Sequence, residues 1–417
     1  MARGKGEGAV FQRDNGLWVT RIELPPRDGK RRRKEITSKS KAELLVKRAK
    51  ALKQFEMQGD LHTDGMTVDA WIDYWMREIA VKTRRPNTVA GYRSHLRWVS
   101  RAIGTSRLDK LTAEHVRRVI RLMSDPDPTA DNPDPKPMSG TTQRNVHAIM
   151  SAMFADAERE GRISRNPCGL VPAPVRNLTD LVALTPEEAA RLLTTFAGTP
   201  DALLWATFIL TGGRRGEIIG LEWDRISEGP NPTIDLSWQL TRIEYSHGCK
   251  TACGEKPARC PQRRINVPAN YEHRQCRGGL YWVRPKTRSG WRIIPLVDPL
   301  RSLLEQWRQI APTNPWGLVF TRPNEAGDPL PVDPDFASRV WPEVRKAAGI
   351  SGNVRLHDLR HTTVDLLYAA EVDEDLIPEI IGHSTRAMSR SYRSKGNQAR
   401  ITAALQKVSE KLAITQG

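Results

Sequence analysis

Two arginines, a lysine, two histidines and a tyrosine stand in four short segments toward the C-terminus. The first segment is Thr211-Gly212-Gly213-Arg214-Arg215-Gly216-Glu217. Glycines beside an arginine let backbone and guanidinium approach an anion closely, and Glu217 can pin one arginine by ion pairing. The second, Val283 to Leu296, sets apolar runs on either side of Ser289-Gly290, which predicts a β-hairpin presenting Lys286 near its tip. The third is His357-Asp358-Leu359-Arg360-His361. Positions three apart share a helix face, so His357 and Arg360 can converge on one target. The fourth is Ile381-Gly382-His383-Ser384, followed nine residues after His383 by Tyr392. Singly these signals are weak, because glycine-flanked arginines, hairpin lysines and lone tyrosines are ordinarily structural. Together they suit a phosphodiester: permanent cations for its oxygens and groups that move protons, with no carboxylate cluster to hold magnesium.

The rest of the chain must position this set. Its 417 residues exceed one ordinary domain, and a hydrophobic fraction of 39% supplies material for several cores. No run of eighteen apolar residues occurs and the start lacks an apolar leader, so a soluble cytoplasmic protein is expected. Sixty-five Lys and Arg against 48 Asp and Glu leave a net charge of +17, which points to a polyanionic partner, most simply nucleic acid. Nearly half of that excess lies in residues 1–60, where short β-like runs precede a helix at about 40–57 with Leu44, Leu45, Ala49, Leu52 and Phe55 on one face. A small sheet packed on a helix is expected there. Its basic tip, Lys30-Arg31-Arg32-Arg33-Lys34, is placed to follow phosphates.

A polar linker at 59–65 leads to a helical bundle at 66–172, with Val68, Trp71, Ile72 and Trp75 at helix spacing and a basic side of Lys82, Arg84, Arg85, Arg93 and Arg97. Residues 180–417 read as one mixed, mainly helical domain, opened by a capping box at Thr185, Pro186 and Glu188. The predicted class is therefore α+β, mainly helical and multidomain: an N-terminal sheet-plus-helix domain (1–60), a helical bundle (66–172) and a mixed domain with a small sheet.

In this order the motifs resemble those of the tyrosine recombinase, or phage integrase, family. The matching pattern is TGxRxGE, a lysine in PKTxxxxRxIPL, HxLRH, GHS and the tyrosine nine residues beyond the GH histidine. The resemblance spans essentially the whole chain and implies an arm-binding sheet domain, a core-binding helical domain and a catalytic domain. Position by position, it makes Arg214, Lys286, His357, Arg360 and His383 the catalytic set, Tyr392 the nucleophile and Glu217 a structural acid. Gly213 and Ile381 depart from the family's usual residues without removing a functional group. The implied activity is site-specific DNA integration or excision through a 3′-phosphotyrosyl link, with no cofactor for catalysis. The implied partners are core and arm attachment sites on double-stranded DNA, a host DNA-bending protein and an excisionase, in a bacterial nucleoid. The helical pattern after Tyr392 (Ile401, Ala404, Leu405, Val408, Leu412, Ile414) is expected to be a tail docking on a neighbouring protomer of a homotetramer. The alternatives are a related topoisomerase and a non-catalytic architectural DNA-binding protein.

One cluster lies outside that resemblance. Cys249, Cys253, Cys260 and Cys276 crowd an insertion at about 247–277, with His247 and His273 nearby. Clustered thiols in a reducing compartment favour structural zinc over disulfides. Ligation by all four cysteines is preferred to a set using either histidine, and the bland alternative is a loop of reduced thiols. Cys168 stands apart as a linker or core thiol.

Overall fold

A polar turn at Asp14-Asn15-Gly16 reverses the chain between β1 (Val10–Gln12) and β2 (Trp18–Arg27), and Gly16 takes the left-handed φ of 77° that such a turn needs. The computed structural model describes residues 9–27, 30–58, 65–128, 136–177, 182–249, 253–285, 290–382 and 395–412. Strand β3 (Lys30–Ser38) completes an antiparallel sheet in the order β1-β2-β3, and α1 (Lys41–Gln58) packs on it through Ala51, Leu52 and Phe55 against Ile22, Leu24 and Ile36. Two details depart from expectation. The basic run is not a turn but part of β3, with Arg33 opposite Glu23 and Arg32 opposite Leu24. An edge strand tolerates such a run because alternate side chains, here Arg31 and Arg33, stand in water. On α1, Leu45 and Ala49 are exposed, because a stripe repeating at 44, 48, 51, 52 and 55 faces inward instead.

A second core belongs to the helices that follow. Helix α2 (Val68–Trp75) starts at Thr67, whose hydroxyl accepts from the Ala70 N–H at 3.2 Å, and runs through a wide turn at Met76–Ala80 into α3 (Val81–Thr83). Pro86 opens α4 (Pro86–Ile103), its fixed φ suiting the first helical position. Thr112 and His115 cap α5 (Ala113–Ser124), and α6 (Gly140–Arg159) closes the bundle. Trp71 and Trp75 fill its centre, with their indole N–H groups donating to Met153 O and Asp156 Oδ2 at 3.2 and 2.7 Å. Cys168 is buried in this core, and burial pushes its thiol up to about 12, as suits an inert core thiol. Contacts divide the chain into units 1–178 and 179–417.

The second unit begins with α7 (Pro186–Thr195), capped by the expected Thr185–Glu188 box, then α8 (Pro200–Thr211) and α9 (Arg215–Ile219). Strands β4 (Thr233–Asp235), β5 (Gln239–Arg242), β6 (Tyr245–Ser246), β7 (Arg264–Ile265), β8 (His273–Arg277), β9 (Leu280–Val283) and β10 (Ile293–Pro295) follow. The chain continues through α10 (Leu300–Ile310), β11 (Thr321–Pro323), β12 (Pro329–Pro331), α11 (Pro334–Ala347), α12 (Leu359–Ala369), α13 (Ile377–Ile381) and α14 (Lys395–Lys411). Residues 203–213 are buried without interruption, which makes α8 the central helix of this unit. Among the described residues no helix is long and apolar enough to cross a membrane.

Two expectations are corrected in this unit. Strands β9 and β10 do not pair as a hairpin: β9 is flanked by β5 and β8, which occupy both its edges, and β10 pairs with β4. The tail helix α14 packs in its own domain, with Ile401, Ala404, Leu405, Val408 and Leu412 buried in the main core. Its apolar face packs within the chain, while Ile414 lies outside the described residues. The mainly helical α+β class is as expected.

Candidate active site

Helix α8 delivers the first site segment. Its last turn ends at Gly212, in the left-handed region at φ 56°, which halts the helix and turns the chain toward Arg214. A Cβ at Gly212 would lie 2.5 Å from Ile381 Cδ1, so both the backbone angle and the packing demand glycine. A Cβ at Gly213 would lie 2.2 Å from Ile218 Cδ1. Ile218 thus fills the space that a larger residue before Arg214 would take, which accounts for that departure from the family pattern.

Three guanidiniums gather around the Gly212 turn. The Arg214 guanidinium donates to Glu217 Oε1 at 2.7 Å and to the Gly382 carbonyl at 3.1 Å, while the Arg214 N–H donates to Glu217 Oε2 at 2.9 Å. Arg360 donates to the Gly212 carbonyl at 2.8 Å. Arg292 pairs with Glu217 Oε2 at 3.0 Å and donates to the Ile381 carbonyl at 2.6 Å. Glu217 and Arg292 are essentially sealed from solvent, and Arg360 is 4% exposed. Three fixed cations against one carboxylate leave a surplus of positive charge at a mostly buried site. Burial, and then the cations Arg292 and Arg214, pull Arg360 down to about 9, which still leaves it protonated at neutral pH. One of its terminal N–H2 groups, Nη2, is buried with no hydrogen-bond partner among the described residues. Surplus charge and an idle donor are what an incoming anion would satisfy.

Arg292 is the R of the PKTxxxxRxIPL motif, but nothing in the motif assigns it a role. Period-two alternation puts it on the same strand face as the buried Ile294, a signal that could have predicted its burial. The carbonyls of Gly212, Ile381 and Gly382 had no such signal, because their convergence is created by folding.

His357 sits in a short 3-10 turn leading into α12, one turn before Arg360, with its ring edge-on to His361 at 6.1 Å between centroids. The residue is exposed. Desolvation of its covered side, and then Arg360 and His361, hold its pKa below the usual 6.5. The neutral imidazole is thereby kept available as a proton acceptor. In the DNA-free chain His357 is expected to titrate below 6.5, which histidine-ring NMR checks. A depressed value means that its contribution to stability is complete above pH 6.5 and is lost as pH falls toward the folded pKa.

Lys286, His383 and Tyr392 lie outside the described residues. A Cβ on Gly290 would lie 2.7 Å from Pro285 Cβ and 3.5 Å from the Arg214 guanidinium, so Pro285 and Gly290 approach each other beside Arg214. Arg284 precedes Pro285, its guanidinium stacked on Trp238 and Trp291 and donating to Ser237 Oγ at 2.7 Å. Gly382, the residue before His383, accepts from Arg214 and takes a left-handed φ of 73°.

The remaining predicted residues fall elsewhere. Arg31, Arg32 and Arg33 lie along β3, and Arg31 faces Glu23 at 3.6 Å. Lys82, Arg84 and Arg85 share the corner between α3 and α4, Lys82 pairing with Glu78 at 2.7 Å, while Arg93 stands exposed two turns along α4. The four-cysteine set divides. Cys249, Cys253 and Cys260 gather with His247, whereas Cys276 lies on β8 against the main core, where burial pushes its thiol up to about 12. Membership of β8 fixes Cys276 in the sheet, so the preferred all-cysteine set is replaced by one containing His247. His273 is also outside it, on β8 with its Nδ1 2.7 Å from the Tyr271 carbonyl.

Residues 270–398 match the phage integrase family model, a span containing Lys286, His357, Arg360, His383 and Tyr392. An integrase of Saccharopolyspora erythraea is 26% identical over 93% of this chain and 92% of its own length. Among solved structures, the Tn1549 transposon integrase in complex with transposon right end DNA has a TM-score of 0.57 at 19% identity, covering 82% of this chain and 100% of that one. A lambda integrase tetramer bound to a Holliday junction has a TM-score of 0.51 at 15% identity, covering 91% of this chain and 97% of that one. The ordered motifs, the cationic site and these likenesses agree: the chain carries a phage integrase domain at residues 270–398 and is similar to integrases over most of its length.

Proposed function

We propose that this chain cuts and rejoins DNA at specific sites, with Tyr392 attacking the scissile phosphorus to form a 3′-phosphotyrosyl link. The observation that carries this reading is the surplus of buried guanidinium charge around Gly212, with an idle donor on Arg360. A phosphodiester gains negative charge on its non-bridging oxygens as the nucleophile arrives, and fixed forks aimed at those oxygens lower the barrier. Arg214 and Arg360 serve that role, and His383 adds a donor. A tyrosine is only about 0.1% ionised at pH 7, so the neutral imidazole of His357 accepts its proton. Lys286 protonates the departing 5′ oxygen. Attack by a partner strand's 5′ hydroxyl on the phosphotyrosine reverses these steps, so the phosphodiester is re-formed without ATP. Of the binding surfaces, the β3 edge takes arm-type sites and the α3–α4 corner takes core sites. A tetramer on DNA is supported by the likeness to lambda integrase. A host bending protein and an excisionase complete the proposed assembly.

The test uses nicked suicide duplexes carrying candidate core sites, followed by peptide mapping of any covalent adduct. Adduct on Tyr392, and strand exchange between two duplexes, are the expected results. Adduct without exchange points to a topoisomerase. Tight, specific binding with no adduct points to an architectural protein.

The arm reading carries its own expectation. Alanine at Arg31 and Arg33 flattens the salt dependence of arm-site binding, by roughly 0.9 in log–log slope for each phosphate no longer neutralised. Salt titrations of binding by the full chain check it, with core-site binding unchanged.

A further inference from the structure

Between β5 and β9 the domain carries an insertion with almost no core of its own. Its ribbon, β6 against β7, consists of the pairs Tyr245 with Ile265 and Ser246 with Arg264. Among the described residues from 247 to 264, Cys260 is the one buried side chain. Lys256, Arg259, Arg263 and Arg264 add like charge to the same short stretch. A loop so short of apolar burial needs another source of order.

The geometry of four side chains supplies it. One donor atom each of His247, Cys249, Cys253 and Cys260 lies within 4.8 Å of all the others. Cys249 Sγ and Cys260 Sγ are 3.7 Å apart, too far for a disulfide and at the spacing of two ligands of one ion. His247 Nδ1 is 3.5 Å from Cys253 Sγ and 3.7 Å from Cys249 Sγ. Ligands on a tetrahedron around zinc, with Zn–S near 2.3 Å and Zn–N near 2.05 Å, give edges of roughly 3.8 Å between sulfurs and roughly 3.6 Å between sulfur and nitrogen. The three observed spacings match those edges.

The backbone holds the two ligand arms together. A Cβ at Gly248 would lie 2.1 Å from the Gln262 carbonyl, so the segment bearing His247 and Cys249 can approach the Cys260 arm only through glycine. Gly254, at φ 73°, turns the chain after Cys253, and the turn at Pro257–Arg259 returns it to Cys260. The Cys260 carbonyl accepts from the Arg263 N–H at 3.0 Å, and Arg263 stacks on Tyr245.

We infer that His247, Cys249, Cys253 and Cys260 form a closed Cys3His zinc site that orders this insertion. Four protein ligands leave no open position for a reacting water, so the ion is structural. Each cysteine binds as a thiolate and gives its proton to solvent on metal binding. Cys276 takes no part.

The test measures metal in the purified full chain and is independent of recombination. A single zinc ion per chain is expected by elemental analysis. Replacement of zinc by Co(II) is expected to give the intense visible bands of a tetrahedral thiolate site. The double variant Cys249→Ser/Cys253→Ser should lose the metal, and Cys276→Ser should retain it in full. Chelation should make the 247–264 segment the first site of limited proteolysis, while zinc restores its resistance. A wild-type chain that purifies without zinc and gives no tetrahedral Co(II) spectrum overturns the inference. So does loss of metal in Cys276→Ser, a different metal held at the same stoichiometry, or a Cys249–Cys260 disulfide under reducing purification. Because wild type and Cys276→Ser suffice for these outcomes, misfolding of the double variant does not rescue the idea.

Discussion

Arg360→Ala is expected to slow formation of the covalent DNA adduct by roughly a hundred- to a thousandfold, the usual effect of removing a preorganised donor from a developing oxyanion. The reason is the donor's preparation. Arg360 is almost fully buried, its Nη1 is tethered to the Gly212 carbonyl at 2.8 Å, and its Nη2 has no partner among the described residues. Such a group needs no reorganisation when the pentavalent phosphorus forms, so its contribution is greatest in the transition state. Binding of core-site DNA, which draws on many surface cations, should weaken far less. Single-turnover cleavage of a suicide substrate at saturating enzyme, beside a binding isotherm, separates the two. Equal loss in both would mean that Arg360 holds DNA or the fold rather than the transition state. Arg360→Lys should recover charge but not the fork, and so remain well below wild type.

The second large effect concerns stability. Glu217→Gln is expected to cost about 3–5 kcal/mol of folding free energy, the typical effect of removing one partner from a buried ion pair. Glu217 is the counter-ion for both Arg214 and Arg292, at 2.7 and 3.0 Å, and Arg292 is sealed from solvent. Without the carboxylate, three neighbouring guanidiniums repel one another at a site that water cannot screen. Thermal unfolding should shift down by on the order of ten degrees for a unit of this size. The pairing account also predicts partial rescue: Arg292→Met in the Glu217→Gln background removes the unpaired charge and fills the space. A double variant no more stable than Glu217→Gln would contradict it. Cleavage should fall in Glu217→Gln even at low temperature, where it remains folded, because Arg214 loses the group that aims it.

These expectations show what distinguishes the positive charges of this chain. The surplus of +17 is largely surface charge, exposed along β3 and at the α3–α4 corner, and its effects should follow salt. The site arginines are few, desolvated and held by carbonyls, and their effects should hardly respond to ionic strength.

Much of this molecule is written locally. The Thr185–Glu188 capping box, the helix periodicity of Trp71 and Trp75, and the linking of Arg214 to Glu217 each depend on residues a few positions apart, so spacing alone predicted them. The order of the motifs carried the family for the same reason. Contacts between distant segments were decided by the tertiary structure. Whether apolar runs around Lys286 pair with each other or with other strands depends on which edges β5 and β8 already occupy. Whether the helix after Tyr392 seeks a neighbour depends on whether α8, α12 and β10 leave room for it at home. The fourth member of the thiol cluster turned on the same kind of choice: residue type favoured the thiol of Cys276, but that residue lies in β8 against the main core, and the close approach of the chain at Gly248 brings in His247. Arg292 is the clearest case, since a strand pattern could mark it as buried but only the fold brings Glu217 and the Ile381 carbonyl to neutralise it. Residue types and spacing determined which chemistry is present; packing decided which charges are desolvated, and desolvation is what lets a guanidinium stabilise a transition state rather than merely attract DNA.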